Sequence, residues 1–146
     1  MLAYTLLAVF DSAQRYRAPP ATGSVTQTQQ EHRMDKQRLI LLYDGPWNDP
    51  EDQTNVFRLA GRIRDQDGSI RQRFFYDPGV GTGKVDRFRG GVFGYGLSEN
   101  LMQGYEWLAK RFSDEDEIWI FGFSRGAYTA RSLVGLIRKC GLLRIF

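Results

Sequence analysis

Cysteine and histidine are nearly absent from this 146-residue chain, which holds one of each, Cys140 and His32. A single cysteine excludes an intrachain disulfide framework. Cys140 closes an apolar, helix-like run and reads as a small hydrophobe there. A single histidine leaves little material for imidazole-based catalysis. Charge of one sign is also scarce in excess: Lys plus Arg number 20 against 17 for Asp plus Glu, a formal net charge of +3. That balance does not argue for nucleic acid, and Trp47, Trp107 and Trp119 fall in a turn, a helix and a strand rather than in a basic aromatic stripe. No apolar run is long enough to cross a bilayer. Met1–Phe10 is apolar but lacks the positive start of an export signal. No internal repeat is visible. Cytoplasmic residence is the default expectation, with secretion as the alternative.

What is present suffices for one core: 42% of residues are hydrophobic and 14% aromatic. Residues 1–33 read as a flexible extension outside the fold, with a Pro, Thr, Ser and Gln-rich tether over 19–33 and Met34 as an alternative start. Residues 34–146 read as the N-terminal part of a larger α/β domain. Leu39–Tyr43 is continuously apolar and stops at Asp44-Gly45-Pro46, as a strand buried on both faces should. Thr54 or Asn55 caps a helix carrying Val56, Leu59, Ala60 and Ile63 at helical spacing. A second strand follows over Arg71–Tyr76, then a glycine-rich loop over Val80–Gly96 with Lys84, Arg87 and Arg89. Leu97, Leu101, Tyr105 and Leu108 mark a further helix, and Asp114–Glu117 reads as a solvated acidic turn. Ile118–Phe121 is a third buried strand, followed by a helix lined by Ala127, Ala130, Leu133, Val134 and Ile137. Alternating strands and helices with long crossovers predict a partial α/β fold, a parallel sheet with helices on both faces.

The junction Gly122-Phe123-Ser124-Arg125-Gly126 fits the nucleophile-elbow pattern G-x-S-x-G between a buried strand and a helix. A sharp turn there lifts the Ser124 hydroxyl above the sheet edge, and Gly122 and Gly126 are structural, leaving room for the turn. The Arg125 backbone N–H supplies one oxyanion donor at the start of the following helix. The competing reading is a serine helix cap after an ordinary turn. A serine nucleophile needs a base and an orienting acid, yet no Asp, Glu or His follows Ser124. His32 sits in the polar tether, away from the predicted strands.

Asp44 and Asp77 end strands on the edge where parallel sheets gather chemistry. With Asn48 they offer a thin oxygen-ligand set for a metal; side-chain capping of the turns is the simpler role. Trp47 beside the same edge is a candidate wall of an acyl pocket. Gly79–Lys84 misses P-loop spacing, because Pro78 stands in place of the first glycine and Val85 in place of the hydroxyl residue. No cofactor is assigned.

Five blocks in order resemble the DUF2235 family of α/β-hydrolase domains, which includes the catalytic region of the type VI secretion phospholipase effectors called Tle1. They are Tyr43–Asn48, Thr54-Asn55-Val56, Tyr76–Gly83, Gly90–Gly94 and Gly122–Arg131. The resemblance implies Ser124 as nucleophile and Asp44-Gly45 as the loop near the oxyanion site, making Gly45 a second donor candidate. It implies an acid and a histidine supplied from later sequence, and a lipid or other acyl ester as substrate. Pro46 departs from the family threonine and, lacking an N–H, is no oxyanion donor. Three readings stand at this stage: a serine ester hydrolase lineage, a truncated noncatalytic remnant that associates with itself or with a complementary polypeptide, and metal-dependent phosphoester hydrolysis at Asp44 and Asp77.

Overall fold

The computed structural model describes residues 36–45, 53–79 and 97–143 in full, and the backbone alone for 5–10 and 93–96. Its strands are β1 (Thr5–Phe10), β2 (Gln37–Tyr43), β3 (Gln66–Asp67), β4 (Ile70–Asp77) and β5 (Glu117–Phe123). Its helices are α1 (Asn55–Ala60), α2 (Phe93–Ala109) and α3 (Arg125–Cys140). The sheet runs β1-β5-β2-β4-β3.

β2 is the centre because both its faces are covered. Leu39, Leu41 and Tyr43 pack with Leu108 of α2 and Ala130, Leu133 and Ile137 of α3. Ile40 and Leu42 pack with Val56 of α1 on the opposite face. Side chains alternate along a strand, so a strand covered on both sides must be apolar throughout. Each fully buried Leu or Ile contributes roughly 1.5–3 kcal/mol. β2 pairs in parallel with β4 and with β5, placing Leu41 opposite Phe75 and Ile120.

The chain leaves β2 toward β4 through α1 on one face, then returns past β2 to β5 through α2 on the other. Reversing direction while keeping the hand of each crossover demands opposite faces. The helices that follow β2 and β5 therefore diverge, and a crevice opens between the carboxyl ends of those two strands, where open α/β sheets hold ligands.

Two elements differ from the sequence expectation. Thr5–Phe10, expected outside the fold, pairs antiparallel with the whole of β5, Thr5 opposite Phe123 and Phe10 opposite Ile118. The sheet is accordingly mixed rather than all-parallel. β3 is a two-residue strand that hairpins onto β4 through Gly68 at φ +61°. Among smaller differences, α2 begins at Phe93, inside the expected loop, and Cys140 is exposed at the end of α3 rather than packed.

The acidic run is only half solvated. Asp114 and Glu115 are exposed, but Asp116 is 1% exposed and accepts the Gln37 N–H at 2.9 Å and the Ser113 N–H at 2.8 Å. Glu117 accepts from Lys36 at 2.8 Å, from Arg38 Nε at 2.9 Å and from Trp119 Nε1 at 3.1 Å. Those donors, Lys36 first, hold its carboxyl down to about 2. This network ties the amino ends of β2 and β5 together, at the opposite end of the sheet from the crevice.

Candidate active site

Ser124 alone separates β5 from α3, and it turns the chain at φ 54° and ψ −125°. A non-glycine residue in such a conformation costs on the order of 1–3 kcal/mol and persists only where its surroundings enforce it. Here the enforcement comes from close backbone approach. A Cβ on Gly122 would lie 2.6 Å from the Ala127 Cα, and one on Gly126 would lie 2.6 Å from the Asp44 carbonyl oxygen and nearer still to that of Tyr43. The start of α3 thus rests directly on the end of β2. The Ser124 side chain makes no capping hydrogen bond to α3, and the residue is exposed. The helix-cap reading does not fit that geometry. The Arg125 amide belongs to the first turn of α3, whose N–H groups point toward the bend.

Asp44, one residue past β2, is 2% exposed and organises this end of the sheet. Its Oδ1 accepts the Gly45 N–H at 2.7 Å, and its Oδ2 accepts the Thr54 hydroxyl at 2.5 Å and the Tyr76 hydroxyl at 3.0 Å. Thr54 in turn caps α1 by accepting the Phe57 N–H at 3.0 Å. Burial, then the bond to Asp44, raises the Tyr76 phenol above its ordinary range. The Asp44 N–H reaches the Asp77 carbonyl at 2.8 Å, joining the ends of β2 and β4. Asp44 is therefore a turn-organising carboxylate, and the Gly45 N–H, an oxyanion candidate by sequence, is engaged by it.

Asp77 is 8% exposed, and its Oδ1 accepts the Gly79 N–H at 2.8 Å, where Gly79 sits at φ 85°. Its Oδ2 is buried without a hydrogen-bond partner among the described residues. Burial raises this carboxyl above its usual range, the Gly79 N–H opposes that shift, and Asp44 reinforces it.

Ser124, Arg125, Gly126, Asp44 and Asp77 line one cleft of about 410 Å³. Tyr43, Gly79, Leu97, Asn100, Tyr128 and Thr129 complete its wall. Leu97 marked a helix in the sequence, but neither it nor Asn100, Tyr128 and Thr129 was a site candidate there. Their signal was helical spacing, since Tyr128 and Thr129 stand three and four residues beyond Arg125, and Leu97 and Asn100 stand three apart on α2. Trp47, Pro46 and Asn48, with the cationic loop residues Lys84, Arg87 and Arg89, lie outside the described residues. Among the described residues no three His, Cys, Asp or Glu side chains gather as a metal site. Both Asp44 oxygens are already occupied within the turn.

The pattern of the type VI secretion phospholipase effector Tle1-like catalytic domain matches residues 37–145. The chain belongs to this family. The Tle1-like match opens on the first residue of β2 and takes in the bend, the cleft and every helix. The family is thus a hydrolase family of phospholipase type. A Saccharomyces cerevisiae protein, "Uncharacterized protein YEL023C", is 29% identical over 146 aligned residues, which cover 88% of this chain and 21% of that protein. The chain spans about a fifth of the length of this relative. No solved structure matches it. Among the described residues no helix of this Tle1-like chain is long and apolar enough to cross a membrane.

Proposed function

We propose that the chain carries the nucleophile-bearing part of a serine hydrolase that cleaves acyl esters of lipids. The observation that carries this reading is Ser124, held at φ 54° between a buried strand and a helix start with its hydroxyl unspent on capping. Ser124 Oγ attacks the acyl carbonyl as its proton passes to a base. The Arg125 N–H helps to hold the oxyanion, and one such donor is worth on the order of 3 kcal/mol. Collapse expels the alcohol with a proton and leaves the acyl-enzyme, and water then releases the fatty acid. No Asp, Glu or His follows Ser124, so this reading assigns the base and its orienting acid to polypeptide beyond this chain. Family membership favours a phospholipid as the ester.

The alternative is a noncatalytic module that keeps the hydrolase layers. Incubation with an alkyl fluorophosphonate, alone and with imidazole as an external base, separates the two. The hydrolase reading expects a covalent adduct on the wild-type chain, increased by imidazole and absent from Ser124→Ala. Equal labelling of that variant refutes Ser124 as nucleophile. No labelling under either condition favours the noncatalytic module.

A further inference from the structure

The chemistry assigned to Ser124 leaves one carboxyl of its cleft unused. Asp77 is fixed from three sides: its backbone pairs with Tyr43, its carbonyl accepts the Asp44 N–H, and its Oδ1 accepts the Gly79 N–H. The orientation of its second oxygen follows from those bonds. Asp77 is one of the residues that line the Ser124 cleft, and its Oδ2 is buried with no partner among the described residues.

Leaving a buried acceptor unpaired is costly, and native folds rarely tolerate it without a reason. Elsewhere among the described residues the buried carboxylates are paired. Asp116, 1% exposed, has Oδ1 on the Gln37 N–H and Oδ2 on the Ser113 N–H, and both Asp44 oxygens accept hydrogen bonds. Asp77 is the exception, and it lines the same cleft as Ser124. For turn capping alone, asparagine at position 77 would bond Gly79 equally well without burying a second carboxylate oxygen.

We propose that Asp77 Oδ2 is a substrate-recognition group that accepts a hydrogen bond from a donor on the alcohol half of the ester bound at Ser124. This rests on the ester hydrolase reading. An acyl chain carries no donor, whereas the alcohol half of a lipid ester carries hydroxyls on its glycerol or an ammonium on its headgroup. Asp77 therefore discriminates between alcohols and leaves the acyl chain to other walls of the cleft.

Three non-hydrolysable ethers test this, used below their micellar concentrations with binding followed by NMR: 1-O-decylglycerol, 2-(decyloxy)ethylamine and decyl methyl ether. The wild-type chain is expected to bind at least one donor-bearing probe about tenfold or more tightly than the methyl ether. Preference for the first identifies a hydroxyl, and preference for the second an ammonium. Asp77→Asn keeps the acceptor facing Gly79 and places an NH2 donor where Oδ2 was. It is expected to bring all three affinities within about twofold and to unfold no earlier than wild type. Asp77→Ser, which retains one oxygen for Gly79, makes the same comparison if Asp77→Asn does not fold. No donor preference in the wild type, through equal binding or none, overturns the proposal, as does a preference that survives both substitutions. Fluorophosphonate labelling on the same preparation keeps the two readings apart. Labelling without donor preference sinks the role of Asp77 alone, and donor preference without labelling sinks the hydrolase alone.

Discussion

Substituting Gly126 by alanine tests the claim that close packing of α3 on β2 creates the bend at Ser124. The new methyl would stand 2.6 Å from the Asp44 carbonyl oxygen and closer to that of Tyr43. Those separations fall roughly 1 Å short of ordinary van der Waals contact. Neither obstacle can swing aside: both are main-chain atoms, Tyr43 is 1% exposed, and the Asp44 N–H is tied to β4. Overpacking of this kind costs about 1–3 kcal/mol, while alanine returns at most about 1 kcal/mol in helix propensity. A net loss of about 1–2 kcal/mol follows. In a domain of this size that lowers the melting temperature by roughly 3–9 °C. Gly135 in the middle of α3 supplies the control, because a Cβ there meets nothing within 4 Å. Gly135→Ala is expected to raise stability by about 0.5–1 kcal/mol. Thermal and urea unfolding of both variants read the sign directly, and Gly126→Ala should also lose fluorophosphonate labelling. Equal stabilisation by the two alanines would refute the packing argument, and with it the reason given for the strained serine.

Three further outcomes are expected. A Cβ on Gly104 would fall inside the contact radius of the Tyr43 hydroxyl, which is buried without a partner among the described residues. Gly104→Ala should therefore destabilise by about 1–3 kcal/mol. Tyr43→Phe alone should be close to neutral and should recover most of that loss in the double variant, a positive coupling measurable by urea unfolding. Glu117, held down to about 2 by Lys36 and Arg38, contributes stability above its unfolded value of roughly 4.3 and loses it as pH falls through about 2. Glu117→Gln should then be less stable than wild type at pH 6, with the gap closing below about pH 3. Asp77 has the opposite sign, since its raised carboxyl costs stability as pH climbs through the carboxylate range. Asp77→Asn should flatten that part of the pH–stability curve.

The central layers were legible because burial on both faces writes an unbroken apolar run, as in Leu39–Tyr43, and because α1 opens on a threonine cap. The elbow was legible for a steric reason, since only residues without a Cβ fit where Gly122 and Gly126 touch neighbouring backbone. What escaped depended on partners distant in sequence. Asp44 reads as a turn cap, but its partners Thr54 and Tyr76 are not visible until the fold brings them to it. Asp116 and Glu117 look like one solvated run until β2 brings Gln37, Lys36 and Arg38 to them. Thr5–Phe10 carries no turn signals of its own and finds its place only through the open edge of β5, more than 100 residues away.

That pairing has a practical consequence for anyone who produces the protein. Thr5 lies across from Phe123, the residue next to Ser124. β1 therefore begins at the same end of the sheet as the bend at Ser124, because it runs antiparallel to β5. Peptide fused ahead of β1 enters the sheet at that end, so an affinity handle is better placed on the other terminus.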